Sequence, residues 1–264
     1  MDASSPRTVP PPLPPQTAPF KKSSKTAWIV LACVGAALLL IAGFGAAVII
    51  PAAGTVRAKA HRAIDATKLR EIAKSSMIYA IDKNDCLPAV YLSADGQPSG
   101  REPATIHAIA ATLARTNALT DTSCWFSAAD LERFAPGTDL KALGPVLDPS
   151  RTALSPAFAR QKAFAWDFAT GLKMVMPAST PIAWTRGLRS DGTWDPKSGA
   201  YGGEGGYIAF LGGNVQFFSN LQATPLVRPD GKRTSNILET LPPTVRVVGS
   251  GPGTLHGAMG LAQP

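Results

Sequence analysis

The chain has 264 residues, a formal net charge of +8 and 45% hydrophobic residues, which is enough apolar material for one folded domain besides terminal segments. Its Lys and Arg residues are dispersed among Asp and Glu and no nucleic-acid-binding motif accompanies them, so the positive charge does not predict a nucleic-acid partner. The 3 His residues fall in unrelated settings and no nucleophile motif is present, which argues against an enzyme and identifies no small-molecule substrate.

Residues 1–26 are predicted to form a disordered, proline-rich tail. The run from Val9 to Pro15 is dominated by proline, which lacks the backbone N–H that helices and sheets need and favours extended conformations. A docking site for a proline-recognising partner is the alternative interpretation of this segment.

Residues 27–53 contain no charged residue and predict a transmembrane helix, because the stretch is longer than the roughly 20 residues that a bilayer core requires. A cleaved signal peptide is the alternative, although its apolar region is normally about 7 to 15 residues long. Basic residues flank the stretch on both sides, so charge alone does not fix its orientation.

Further helices are predicted after this stretch. Residues 57–82 are rich in Ala, Lys, Arg and Glu and carry apolar residues near helical spacing, which predicts an amphipathic helix that continues the apolar one. Asn84 and Asp85 tolerate turn geometry and are expected to end it. Residues 104–115 and 127–134 predict two shorter helices.

Short strands are predicted beyond Ala163, where β-branched and aromatic runs alternate with turn formers; they cover residues 172–176, 181–186, 206–211 and 214–219. Gly212-Gly213 is predicted to join the last two as a two-residue hairpin turn. Both faces of this hairpin are apolar, which predicts an inner part of a sheet packed on the long helix. From residue 223 to residue 264, Pro and Gly return without periodicity and predict an extended or mobile C-terminal tail.

Two stretches of the chain carry a family resemblance. Residues 69–88 read LREIAKSSMIYAIDKNDCLP, and residues 181–221 begin with PIAWTRG and end with YGGEGGYIAFLGGNVQFFSNL. Together they resemble the type IV pilin-like proteins of bacteria, in particular the pseudopilin-like group related to the type II secretion system. The resemblance implies an α+β fold in which a long N-terminal membrane-spanning helix continues into an amphipathic helix packed on a C-terminal antiparallel sheet.

This resemblance also implies an organisation of the chain and departs from the family at one point. A pilin-like α+β domain over residues 54–222 would follow the tail and the transmembrane helix at 27–53. Family members carry a Gly directly before the apolar segment, where prepilin peptidase cuts, and a Glu five residues into the mature helix. Residues 25–31 read KTAWIVL and have neither, so no recognisable prepilin peptidase site is present and we expect the tail to be retained.

Three acidic residues are candidate calcium ligands. Asp191, Asp195 and Glu204 lie in one predicted loop, and some type II pseudopilins bind calcium in a comparable loop. Carboxylate oxygens suit Ca²⁺, although the spacing matches no fixed calcium motif. No other cofactor is expected.

Cys86 and Cys124 are predicted to form a disulfide. Both lie outside the apolar segment that contains Cys33, and disulfides persist in oxidising compartments such as the periplasm. Two free thiols in a cytosolic domain are the alternative.

The resemblance implies a non-enzymatic, inner-membrane-anchored pilin-like subunit of an envelope secretion or pilus-type assembly. Its N-terminus would be cytoplasmic and its globular domain periplasmic. Its partners would be the inner membrane and other pilin-like subunits or secretion-system proteins. The alternative is a membrane-anchored periplasmic binding or scaffold protein that does not form filaments.

Overall fold

A computed structural model of the chain describes residues 24–89, 105–134 and 138–249. The chain divides into two compact units, residues 1–55 and residues 56–264. The predicted tail before Ser24 lies outside the described residues, as does the last part of the predicted C-terminal tail.

The described helices are α1 (Ser24–Ile81), α2 (Ile106–Arg115), α3 (Ala128–Phe134) and α4 (Pro156–Ala159), with the 3-10 turns η1 (Thr122–Trp125), η2 (Leu140–Leu143) and η3 (Ile237–Thr240). The strands are β1 (Trp166–Thr170), β2 (Pro181–Thr185), β3 (Gly206–Phe210), β4 (Val215–Phe218), β5 (Leu226–Val227), β6 (Arg233–Thr234) and β7 (Arg246–Val248). The predicted α+β class with an antiparallel sheet is confirmed.

The predicted membrane-spanning helix is wrong. Residues 27–53 lie within α1, and α1 continues without a break into the charged segment that begins at Arg57. Across the part of the chain that the structure describes, no helix combines the length and the apolar character needed to cross a bilayer.

The C-terminal part of α1 forms the predicted amphipathic helix of the second unit. Leu69, Ile72 and Ala80 recur at helical spacing and are fully buried. The helix ends at Ile81, and the positive φ angles of Asn84 (52°) and Asp85 (59°) then turn the chain away. Asn and Asp tolerate this left-handed conformation better than most residues, so the predicted helix end is confirmed.

The main sheet has five antiparallel strands in the order β4-β3-β2-β1-β7. The first four strands are consecutive in the chain, and β7 pairs with the far side of β1, where Phe168 faces Val248. Residues 226–248 therefore contain two small strands, a 3-10 turn and one strand of the main sheet. The C-terminal segment is thus ordered as far as β7, contrary to the predicted tail from residue 223, because β7 finds its hydrogen-bond partners in a strand about 80 residues earlier in the chain.

Both faces of the inner strands are covered. Every residue of β1 and β2 is buried, and all but one residue of β3 are buried. One face, which includes Tyr207 and Phe217, contacts α1 through Arg62. The other face of the β3–β4 hairpin, with Phe210 and Phe218, borders residues 224–227.

The hairpin β3–β4 confirms part of its prediction and corrects the rest. Strand β3 is an inner strand as predicted, whereas β4 is an edge strand. The Gly213 N–H donates to the Phe210 carbonyl (2.9 Å) and the Phe210 N–H donates to the Asn214 carbonyl (3.0 Å). This pattern is a three-residue loop with Gly213 as its positive-φ residue (82°), and not the two-residue turn expected from the Gly-Gly pair.

Candidate functional site

A shallow groove lies on the outer face of the β3–β4 hairpin. Its volume is about 370 Å³, and its floor is formed by Phe210 and Phe218. The polar side chains of Asn214 and Gln216 line it, and the segment Thr224–Val227 forms another wall. The groove combines apolar surface with amide groups that donate and accept hydrogen bonds, which suits an extended peptide better than a charged metabolite.

The free edge of β4 borders this groove. Phe210 and Asn214 form a hydrogen-bonded pair, and hydrogen-bonded and non-hydrogen-bonded pairs alternate along an antiparallel ladder. The next hydrogen-bonded pair towards the strand ends is therefore Ile208 with Gln216. It follows that Val215 and Phe217 direct their N–H and C=O groups away from β3, where none of these groups has a partner among the described residues.

Arg62 on α1 fixes the opposite face of the same hairpin. Its guanidinium lies 5.0 Å from the ring centre of Phe217 and 5.5 Å from that of Tyr201, which are cation–π distances. It also forms an ion pair with Glu204, whose side chain is largely exposed. These contacts hold β4 against the helix, so its free edge belongs to a well-supported strand.

Asp65, three residues after Arg62 on α1, carries a buried carboxyl group. Asp65 Oδ2 accepts hydrogen bonds from Ser127 Oγ (2.5 Å) and from Tyr201 Oη (2.8 Å). Burial raises the pKa of Asp65 above its ordinary value, although both hydrogen bonds oppose this effect. Burial and the neighbouring Asp65 also raise the pKa of Tyr201, so its hydroxyl stays a donor. The cluster cross-links three segments and offers no exposed group for chemistry.

A second buried polar contact joins α3 to the end of β2. The Arg186 guanidinium donates to Asp130 Oδ1 (2.5 Å), to the Phe164 carbonyl (3.0 Å) and to the Ser198 carbonyl (3.0 Å). Both charged side chains are almost fully buried. Their hydrogen bonds are satisfied by the fold itself, which indicates a structural role.

The three calcium candidates do not converge. Asp191 accepts from the Thr193 hydroxyl (2.7 Å) and N–H (2.9 Å), and Asp195 accepts from the N–H groups of Ser198 (2.9 Å) and Lys197 (2.7 Å). Both carboxylates therefore stabilise their own turns, and these hydrogen bonds lower the pKa of each. Glu204 is instead paired with the guanidinium on α1. No group of three or more potential metal ligands occurs in residues 24–89, 105–134 and 138–249.

The two cysteines predicted to pair are free thiols in this structure. The backbone of Cys86 pairs with that of Lys173, and the Cys124 thiol contacts Asp121 Oδ2 (4.0 Å). The predicted disulfide is therefore not formed in this structure.

Comparison with known proteins finds no matching family model, no similar curated protein and no similar solved structure. The pilin-like resemblance therefore stays a prediction that rests on residues 69–88 and 181–221.

Sequence reasoning missed two features of this region. The apolar pattern of residues 206–219 predicted the hairpin but did not show which strand would be the edge. Asp65 stands four residues before Leu69 on the buried stripe of α1, and a carboxylate at such a position is a signal that could have indicated a buried polar partner.

Proposed function

We propose that this chain is a non-enzymatic, pilin-like assembly subunit. In this proposal the N-terminal part of α1 packs against other subunits, and the second unit presents a sheet surface for protein binding. The envelope location and the secretion-system partners belong to the same proposal and rest on the resemblance alone. The proposal does not require α1 to span a membrane.

The observation that carries the proposal is the apolar surface of α1 in the first unit. Trp28, Ile29, Leu31 and Val34 are 52 to 71% exposed. Single exposed apolar residues are ordinary, but a group of them on consecutive turns of one helix marks a contact surface. Such a helix is stabilised when it packs its apolar side chains against another helix.

The second unit supports the proposal through its architecture. Helix α1 contacts the β3–β4 hairpin through Arg62 and Phe217, and its Leu69, Ile72 and Ala73 are fully buried. This arrangement agrees with the helix-on-sheet order that the resemblance implies. The conspicuous buried polar groups, Asp65 and Arg186, are occupied by structural hydrogen bonds, which supports a binding role over a catalytic one.

Native Cys33 provides a direct test, because it is exposed and lies among these apolar side chains. The full-length chain would be treated in cells with a bismaleimide and its products separated under reducing, denaturing conditions. We expect a covalent homodimer that disappears in Cys33→Ser. A matched control, Lys74→Cys in the Cys33→Ser background, moves the thiol to an exposed position on the charged part of α1 and should give much less dimer.

Two outcomes would contradict self-assembly through this helix. Absence of any Cys33-dependent product would overturn the proposed contact surface. A product with a different protein and none with a second copy would favour the alternative, a binding or scaffold protein that does not form filaments.

A further inference from the structure

The edge of β4 is unusual for a natural sheet edge. Exposed edges are normally protected by short length, Lys, Pro or a bulge, and of these devices β4 has only its short length of four residues. Val215–Phe218 reads VQFF and contains no charged residue and no proline. Its register with β3 is continuous, whereas the irregularity in this sheet lies between β2 and β3. At the opposite edge, β7 carries the exposed Arg246.

From this edge we infer that β4 pairs with β4 of a second copy of the chain, antiparallel and about a two-fold axis, so that the two five-stranded sheets form one continuous sheet. This inference does not depend on the proposed role of the N-terminal helix. It concerns a different surface of the chain.

The register of this pairing follows from the backbone. Val215 and Phe217 each direct one N–H and one C=O outward. If the two-fold axis passes beside Gln216, Val215 of each copy lies opposite Phe217 of the other. Each such pair exchanges two hydrogen bonds, so the two pairs together satisfy all eight outward groups of the two strands. If the two strands were shifted by one residue, the outward N–H and C=O groups of one copy would face residues of the other copy whose own N–H and C=O groups already bond to β3.

The side chains agree with this register. Gln216 would face Gln216 of the second copy as a non-hydrogen-bonded pair, in which the Cβ atoms lie about 4.5 to 5.5 Å apart. Its side chain is exposed, and two amides at this distance can hydrogen-bond to each other. On the other face, Phe217 would lie beside Val215 of the second copy, which buries two half-exposed apolar side chains. No like charges meet, although the whole chain carries +8.

A second copy suits this edge better than an unrelated peptide. The strand has four residues, and its outward groups are arranged symmetrically about Gln216. A two-fold interface requires such self-complementarity, because the same patch must serve both partners. The adjoining grooves, each lined by Gln216 and Phe218, would meet at the axis.

Site-specific oxidation tests the inference. Gln216→Cys in the Cys33→Ser background places one exposed thiol at the axis, and the full-length chain at about 100 µM would be oxidised with copper phenanthroline. We expect a disulfide-linked homodimer. Lys141→Cys in the same background, an exposed position on η2, serves as the control and should give at least fivefold less dimer. An equal yield from the two variants would overturn the inference.

A charge-swap experiment supplies the second measurement. Gln216→Lys or Gln216→Glu would place like charges opposite each other, so each variant alone should lose the wild-type association in sedimentation velocity. Mixing the two should restore it, since opposite charges then face each other. If the mixture sediments no faster than either variant alone, the two-fold pairing is wrong. The Cys33 crosslink reports on the helix separately, so either contact can fail without the other.

Discussion

Truncation of one isoleucine on α1 tests how the second unit is held together. Ile72 on α1 is fully buried, whereas Ile78, six residues later on the same helix, is 46% exposed. The substitutions Ile72→Ala and Ile78→Ala remove the same three carbon groups from the same helix. Any difference between them therefore reports burial, and not helix propensity or side-chain type.

The magnitude follows from the atoms removed. Three carbon groups at about 0.8 kcal/mol each give roughly 2.4 kcal/mol for loss of burial at Ile72. The cavity left among rigid neighbours adds to this, so we expect a loss of about 3 to 4 kcal/mol in the free energy of unfolding. At Ile78 about half of the burial is absent from the start, and the better helix propensity of Ala offsets part of the remainder. That variant should lose less than about 1 kcal/mol.

Urea unfolding followed by tryptophan fluorescence measures both losses, because Trp125, Trp166 and Trp184 are fully buried. The melting temperature of Ile72→Ala should fall by about 10 °C, since a domain of this size loses roughly 2 to 4 °C per kcal/mol. Equal losses for the two variants would show that α1 does not bury the stripe described here. That result would remove the basis for the helix-on-sheet arrangement.

Three further predictions concern single residues. The raised pKa of Asp65 means that the folded state holds the carboxyl proton more tightly than the unfolded state does. The free energy of unfolding therefore falls as pH rises from the unfolded-state pKa of about 3.9 to the folded-state pKa. Asp65→Asn removes that fall, so the stability of this variant relative to wild type should increase between pH 4 and 7 in urea titrations. Gly213→Val should lower the free energy of unfolding by more than about 1 kcal/mol because φ at this position is 82°, and Gly213→Asn should lower it less, as melting curves would show. Equal losses for the two variants would argue against the turn at Gly213. Burial raises the pKa of Cys124 to about 11, so maleimide should label Cys33 much faster than Cys124 in the native chain. The unreduced, denatured chain should be labelled at all three cysteines. Equal labelling rates of Cys33 and Cys124 in the native chain would contradict the burial of Cys124.

The sequence predicted the local elements well and the long-range pairings poorly. The turn at Asn84-Asp85 after α1 and the hairpin around Gly213 depend on backbone preferences of a few adjacent residues. The first was found where expected, and the second was found there with a three-residue loop in place of the predicted two-residue turn. Residues 172–176 were predicted as a strand but lie outside the main sheet. Lys173 instead pairs with Cys86 just after the helix, so the extended backbone there has a partner that no local pattern reveals.

Strands β1 and β7 were not predicted from the sequence, again because local patterns do not reveal long-range pairing. Strand β1 reads WDFAT, and its buried Asp167 breaks the apolar pattern by which a covered strand is recognised. Strand β7 has only three residues and follows a Pro-rich segment, so its strand character depends on pairing with β1. The β4 edge was equally hidden, because an edge is defined by what lies beside a strand and not by the strand itself.

The middle part of the chain, which carries no family resemblance, forms three side-chain hydrogen bonds with α1. Lys68 donates to the Phe126 carbonyl (2.7 Å), Ser75 donates to the Ala118 carbonyl (2.7 Å), and Asp65 accepts from Ser127. Sliding α1 along its axis by one residue would break all three contacts at once and leave buried polar groups without partners, whereas the apolar stripe would still find apolar neighbours. The hydrophobic contacts therefore stabilise the helix, and the middle segment fixes its position. The same position places Arg62 over Phe217 and thereby supports strand β4.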